Sequence, residues 1–548
     1  MDQPSLRQRR STTHLLVAVR AIAVVTLCNL GTVALAATKP ALPAAVPKWS
    51  RFEITLPSSV AYANPMRDVT VTAVFVSPLG ETNRVTGFWD GEKTWRVRFA
   101  PDLPGKWTYR TTCSDKTNAS LQAQSGEFTC VAPLTKTALD RHGPLQVARD
   151  HHHFEHADRT PFLWLGDAAW NGGRLSALAD WQLYAEVRAS QKFTAAQWTV
   201  APGKDANGET AFSGRSPLTI NVKFFQRLDA KVEALNRAGL LSAIAPLQEF
   251  GGAEAGLSED DAALLMRYAV ARWGANQVAW IVAVEGDSMG KRVDRWKRIG
   301  RAVFGSVPHA PVILMPGETH WLLDEFRDET WLDAFALPKM STDESGLQWM
   351  LSGPLSVEWK KSPTRPIVNL SAPPETSADG NDARRMLWWS LFQNPTAGAS
   401  YTATPVINWD TNLVTNINML PHAMPAWHSA LFLPGAKGVA SAAEFLGTID
   451  FAQLRPLPRA LGTQPGFESP RRHVSVASLE SKNLTVVYVP EDRKVELANM
   501  AFVPSATATW LNVRTGERQP ATAMAGATTT LFSTPEPGDW LLVLKAGK

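Results

Sequence analysis

The chain has 548 residues, 45% of them hydrophobic, and a formal net charge of +4. That length exceeds one ordinary domain and leaves room for a barrel of about 250 residues beside two smaller domains. A nearly balanced charge without a long basic run argues against a nucleic-acid partner. The chain holds 21 Trp against 6 Tyr, an excess that leans toward carbohydrate because indole faces stack on the C–H faces of sugars. Any single Trp is equally well read as core filler.

At the N-terminus, Arg7, Arg9 and Arg10 precede the apolar stretch Leu15–Leu30, which Arg20 interrupts, and Ala34-Leu35-Ala36 forms a small-x-small cleavage pattern. This reads as a secretory signal cleaved near Ala36, giving a periplasmic or extracellular protein with no stable membrane association. An uncleaved anchor is the alternative, but the uninterrupted apolar part from Ala21 is short for a span. Of three cysteines, Cys28 falls inside the signal, leaving Cys113 and Cys130. An even pair in an oxidising compartment predicts a disulfide clipping a loop of the first domain. Two reduced, buried thiols are the alternative. No cysteine spacing suits a metal.

Residues 48–132 read as all β. RFEITL, VTVTAVFV, TWRVRFA, KWTYRTTC and GEFTCV alternate in polarity between turn signals at Pro78-Leu79-Gly80, Asp90-Gly91 and Pro104-Gly105. Such spacing predicts a small β-sandwich. Residues 132–160 form a linker and an entry hairpin that holds His151, His152, His153 and His156. A histidine cluster can bind metal, but this one sits on a turn before a strand with no carboxylate–His motif after it. No metal is expected.

The stretch Thr160–Trp170 (TPFLWLGDAAW) sets a short apolar run, Phe162–Leu165, before a Gly, an Asp and a helix. That pattern predicts a strand delivering Asp167 to the C-terminal end of a (β/α)8 barrel, where active sites sit. Further strands are predicted at Phe193–Val200, Leu240–Pro246, Val278–Val284, Pro311–Met315, Ala334–Met340, Pro366–Leu370 and Ala399–Tyr401. Helical patterns cover Leu178–Ser190, Val222–Ala238, Glu259–Trp273, Val293–Phe304 and Ala383–Phe392, with Asn221 and Ser258 as N-caps and Gly239 and Gly274 as stops. Wholly apolar strand runs, each followed by a helix, mean a buried parallel sheet. Eight units favour a closed barrel, over residues 140–435, to an open sheet. No GxGxxG or P-loop follows an early strand, so no nucleotide cofactor is expected. Residues 444–548 return to short strands and predict a second β-sandwich. The fold class is therefore multidomain α/β, a central TIM barrel between two β-sandwiches.

Two groups of motifs resemble known families. Asn64-Pro65, Gly87-Phe88-Trp89-Asp90-Gly91, Trp95-Arg96-Val97-Arg98-Phe99 and Pro104-Gly105-Lys106-Trp107 resemble the immunoglobulin-like domain that precedes certain glycosidase barrels. Thr160–Trp170, Phe224-Phe225 with Leu228-Asp229, Trp280-Ile281 with Gly286-Asp287, and Trp510 with Arg514-Thr515-Gly516 resemble the apiosidase-like family of glycoside hydrolases. Two departures stand out. The family carries a Glu directly after its seventh barrel strand, where this chain has Ser371 and keeps only the later Glu375. The Gln-Ser-Gly-His-like stretch after the sixth strand is replaced by Pro338-Lys339-Met340-Ser341-Thr342-Asp343.

The resemblance implies an exported, cofactor-independent hydrolase acting on a plant or microbial polysaccharide or oligosaccharide. Glycoside hydrolysis needs one carboxyl to protonate the leaving oxygen and another to attack the anomeric carbon or activate water. Asp287, after the fourth strand, is the first choice for the acid, with Glu285 beside it as substitute and Glu375 as partner. Asp167, Glu249, Glu318 and His320 are expected to line the cleft, and Trp170, Trp198 and Trp321 to stack on sugar. The rival reading is a non-catalytic carbohydrate-binding protein on a degenerate barrel.

Overall fold

Eight parallel strands close into a barrel: Trp164–Ala168, Ala195–Ala201, Leu241–Glu249, Val278–Val284, Val312–Pro316, Ala334–Ala336, Ile367–Asn369 and Gly398–Tyr401. The computed structural model describes residues 45–249, 256–284, 291–317, 322–338, 343–353, 355–393, 397–412, 426–491 and 493–547. The pleat of the closed strands divides their side chains between the interior and the surrounding helices. Ala195, Ala243, Ala279, Ile281, Ile313 and Ala334 belong to the buried interior cluster. Leu165, Trp198, Ile244, Trp280, Leu314 and Tyr401 pack instead into the surrounding layer. That layer includes helices Leu178–Ser190, Val222–Ala238, Glu259–Trp273, Lys291–Phe304 and Asn381–Gln393. Asn221 accepts a hydrogen bond from the Phe224 N–H at 3.2 Å, and Ser258 one from the Asp261 N–H at 3.2 Å, as N-caps do. Gly239 stops its helix in the left-handed conformation at φ +90°, whereas Gly274 stays right-handed at φ −60°.

The first barrel strand differs from expectation. Pro161–Phe162 pairs antiparallel with Phe154–His156 in a small sheet with Leu145–Val147. Leu145, Phe154 and Phe162 from that sheet join the interior cluster and plug the N-terminal end of the barrel. The barrel strand itself starts at Trp164 and runs on to Ala168, so Asp167 lies within it. The nearby histidines serve this hairpin: His156 Nδ1 lies 2.8 Å from the Gly143 carbonyl, and His142 Nδ1 lies 2.7 Å from Asp158.

Before the barrel, a five-stranded sheet faces a three-stranded one, and Phe52, Phe75, Phe99, Trp107 and Phe128 fill the space between them. This sandwich docks on the barrel through charge. Phe88 lies beside the guanidinium groups of Arg98 and Arg272, 5.0 and 4.9 Å from its ring centre. Arg98 and Arg272 both donate to Asp229, at 2.8 and 2.7 Å, and Arg272 also donates to Asp90 at 2.8 Å. Burial would raise the Asp229 carboxyl, but these two arginines hold it below its ordinary value. After the barrel, a six-stranded sheet packs one face on helix Asn381–Gln393 and the other on a three-stranded sheet. Strand Leu484–Val489 is consequently buried on both faces. Arg384 fixes this contact by donating to Asp539 at 3.0 and 3.1 Å. Among the described residues, no helix is long and apolar enough to cross a membrane.

The expected Cys113–Cys130 disulfide is absent: both residues are buried free thiols. Strand register is the reason. Cys130 pairs with Gly105, while Cys113 ends the same partner strand eight residues further on. At about 3.4 Å per residue the two lie roughly 27 Å apart, far beyond the ~7 Å that a bridge tolerates. Burial pushes both thiols above their ordinary pKa, which keeps them unreactive. Non-reducing thiol titration of the denatured chain from residue 37 onward should therefore count two free thiols, and reductant should leave its Tm unchanged.

Candidate active site

The C-terminal mouth of the barrel has a polar floor. Trp164 Nε1 donates to Ser400 Oγ at 3.1 Å, Ser400 Oγ donates to Gln197 Oε1 at 2.7 Å, and Gln197 Nε2 donates to the Leu370 carbonyl at 2.6 Å. This chain of bonds crosses the interior and ties together the first, second, seventh and eighth strands. Gly166 is required beside it, because a Cβ there would collide with Ser400 Oγ and Trp164 Nε1. Nearer the mouth, Thr199 Oγ1 donates to Gln248 Oε1 at 3.0 Å, and Gln248 stays partly exposed. The third strand slips register against the fourth between Ile244 and Gln248, which sets Gln248 opposite the inward-facing Ala283. Bulges of this kind re-aim side chains beside functional sites. Half-buried Trp170 packs on the interior cluster, and its carbonyl accepts the Thr199 N–H at 3.0 Å. Of the expected stacking residues that are described, Trp170 is the one that packs on the interior cluster.

Three other expected residues point into the helix layer. Asp167 accepts bonds at 2.8 Å each from the Tyr184 hydroxyl and Arg188 Nε, with both sides of the Asp167–Arg188 ion pair fully buried. It is an internal counter-ion, not a sugar ligand. Burial and the Asp167 charge hold the Tyr184 phenol well above its ordinary pKa. Trp198 has no exposed surface; its Nε1 donates to Ser242 Oγ at 2.9 Å and its ring packs edge-on against Trp181 and Trp273. It cannot stack on a ligand. Glu375 is also buried. It accepts from the Tyr401 hydroxyl and, at 3.1 and 3.2 Å, from the Gly435 N–H in the first turn of helix Pro434–Leu446. Tyr401 is an outward-facing residue, so Glu375 lies behind the barrel wall and does not face the cleft. Burial raises its carboxyl above the ordinary 4.5 although both donors favour the charge.

Glu249 ends the third strand opposite Val284. Its side chain, and all of Glu285, Asp287, Glu318, His320 and Trp321, lie outside the described residues. Among the side chains that are described, no inward-facing strand position holds a carboxylate. Gln197, Thr199, Gln248 and Ser400 escaped the sequence reading. The pleat carried the signal for the first two: in Ala195-Ala196-Gln197-Trp198-Thr199 the polar residues share one face and Trp198 occupies the other. Among the described residues, no group of three or more His, Cys, Asp or Glu is arranged to hold a metal.

A closed parallel barrel with a polar mouth between two β-sandwiches is the architecture of a glycoside hydrolase fold. A candidate glycoside hydrolase from Bacteroides vulgatus is similar over 91% of this chain and 99% of its own, with TM-score 0.68 and 18% identity. A structure described as a glycoside hydrolase covers 76% of this chain and 99% of its own at TM-score 0.65 and 14% identity. A glycoside hydrolase family 5 structure, also from Bacteroides vulgatus, covers 75% of this chain and 95% of its own at TM-score 0.64 and 15% identity. The sequence profile described as "Apiosidase-like, catalytic domain" matches residues 148–453, so the chain belongs to the apiosidase-like family. A domain of unknown function (DUF5060) matches residues 45–114. No curated protein matches the chain.

The Asp167→Ala change would strand a buried arginine and should cost about 3–5 kcal/mol of stability, read as a lower Tm, with ligand affinity unchanged in the protein that folds. Glu375 gives a pH test. Its folded pKa lies above 4.5, so its stabilising contribution is full below that pH and is lost as the pH rises through the folded value. Relative to Glu375→Gln, the wild type should lose stability as the pH rises from 4.5 toward neutrality. On any glycoside that is cleaved, the same variant should keep its rate within about threefold, where loss of a proton-transfer group costs about 10²-fold or more.

Proposed function

We propose that the chain is an exported glycoside hydrolase that cleaves glycosidic bonds in polysaccharide side chains with two carboxylates. The observation that carries this reading is the mouth of a family-type barrel with a hydrogen-bonded polar floor and Trp170 as an aromatic wall. Asp167 and Glu375 are committed behind the wall. The working pair is therefore assigned to the segments after the third, fourth and fifth strands. Asp287 is the acid, with Glu285 as its substitute, and Glu249 or Glu318 takes the partner role that Glu375 does not fill. His320 and Trp321 contribute to the same side of the cleft. A carboxyl acid must hold its proton near neutral pH, which requires burial or a neighbouring carboxylate. The separation of the working pair would decide the outcome, about 5–5.5 Å for retention and about 6.5–9.5 Å for inversion. The basic and apolar N-terminal segment supports export.

One observation favours a second reading, a barrel that binds carbohydrate without cutting it. Ser371 stands where the family has Glu, and Glu375 is turned away from the lumen. Hydrolysis of a panel of pectic and hemicellulosic oligosaccharides separates the two. The wild type should release sugar, and Asp287→Ala should lower the rate by about 10²-fold or more. Undiminished cleavage by Asp287→Ala with loss in Glu285→Ala would move the acid to Glu285. Glycan binding without cleavage of any substrate would establish the binding reading.

A further inference from the structure

The C-terminal sandwich holds a second cavity, of about 100 Å³, far from the barrel mouth in sequence. A single water needs only about 10–15 Å³. Its walls are Leu461, Pro465, Val474 and Val495 on the apolar side and Thr463, Arg493 and Lys494 on the polar side. The charges there are incompletely matched. Glu491 serves two arginines, pairing with Arg493 and lying 3.1 Å from Arg472 Nε. Arg493 spends Nη2 on that contact, and its buried Nε has no hydrogen-bond partner among the described residues. Lys494 has no carboxylate partner among the described residues, and its side chain is exposed at the end of strand Lys494–Ala498. Beside the cavity, the short turn Pro465–Phe467 presents Phe467 with 81% of its surface exposed. Nothing in the fold uses that ring. Cationic side chains and a hydroxyl around one hollow, with an exposed aromatic ring two residues from the wall residue Pro465, are the groups that recognise a sugar ring bearing a negative charge. The ring's C–H face lies on the aromatic, and its carboxylate meets the cations.

We propose that this cavity is an ancillary binding site for an acidic saccharide, one that carries a uronate carboxylate, with Phe467 as the stacking platform and Lys494 and Arg493 as the carboxylate donors. A guanidinium fork favours a planar carboxylate, and an unpaired ammonium favours any anion placed near it. The site extends the carbohydrate reading from the barrel to a second domain, but it is tested by binding alone, so it stands or falls separately from hydrolysis.

The test is titration calorimetry on the full chain with α-1,4-linked trigalacturonic acid and with the corresponding neutral galactose trisaccharide. The wild type should bind the acidic trisaccharide at least tenfold more tightly than the neutral one. Lys494→Glu should weaken that binding at least tenfold, and Phe467→Ala at least fivefold. Both side chains are on the surface, so Tm should not change, and any cleavage of a small neutral glycoside should be unaffected. Equal affinity for the two trisaccharides, no binding of the acidic one, or wild-type affinity in Lys494→Glu would overturn the proposal.

Discussion

In a closed barrel each strand residue faces either the packed interior or the surrounding helices. That single choice decides what every residue of the core can do here. Ala168 faces inward and Asp167 outward, so the carboxylate meets Arg188 instead of the lumen. Gln197 faces inward and Trp198 outward, so the amide builds the floor while the indole builds the wall. Ser400 and Tyr401 divide in the same way, and Tyr401 then fixes Glu375 from behind. Moving any of these strands by one residue would exchange the two sets and bury the charges in an interior of alanine and isoleucine.

Charge also assembles the three domains. Asp229 is shared by Arg98 and Arg272, and Arg384 is held by Asp539. Buried ion pairs add little net stability once desolvation is counted, but a partner removed leaves a strongly disfavoured lone charge. Their effect is to permit one docking geometry and penalise the rest. This gives a physical reading to sequence motifs that otherwise look functional. Phe88, Trp89 and Asp90 meet the barrel helices through Arg272 and the Tyr268 hydroxyl, and Asp229 answers from helix Val222–Ala238. These motifs hold the domains together.

The barrel was readable in the sequence because its strands are apolar runs punctuated by capped helices, and Asn221, Ser258 and Gly239 act as their residue types suggest. Less was readable at the site. A motif position such as Asp167 reveals that a carboxylate is needed, not which face it occupies, and the start of the first strand was displaced by the Pro161–Phe162 pairing. The chemistry of Trp198 suits stacking on a sugar, but the alternation around it places it outward. Glu375 lies beyond its strand, where parity gives no guidance, and its partner at Gly435 is 60 residues away. The cysteine pair failed for a similar reason: an even count says nothing of register.

The described part of the mouth is built from one side. Strand order in the closed barrel sets the first, second and eighth strands together and puts the fourth and fifth across from them. The first side supplies half-buried Trp170 above the buried Ser400–Gln197 bridge and Thr199, polar groups that carry no charge. The carboxylates left over in the sequence, from Glu249 to Glu318, all follow the third, fourth and fifth strands. The bulge before Gln248 sits at the seam, where a residue of the third strand is turned inward to meet Thr199 of the second. Because the Trp164–Ser400–Gln197–Leu370 bonds link four neighbouring segments of the wall, the floor is stiff and fixes the side chains that stand around it.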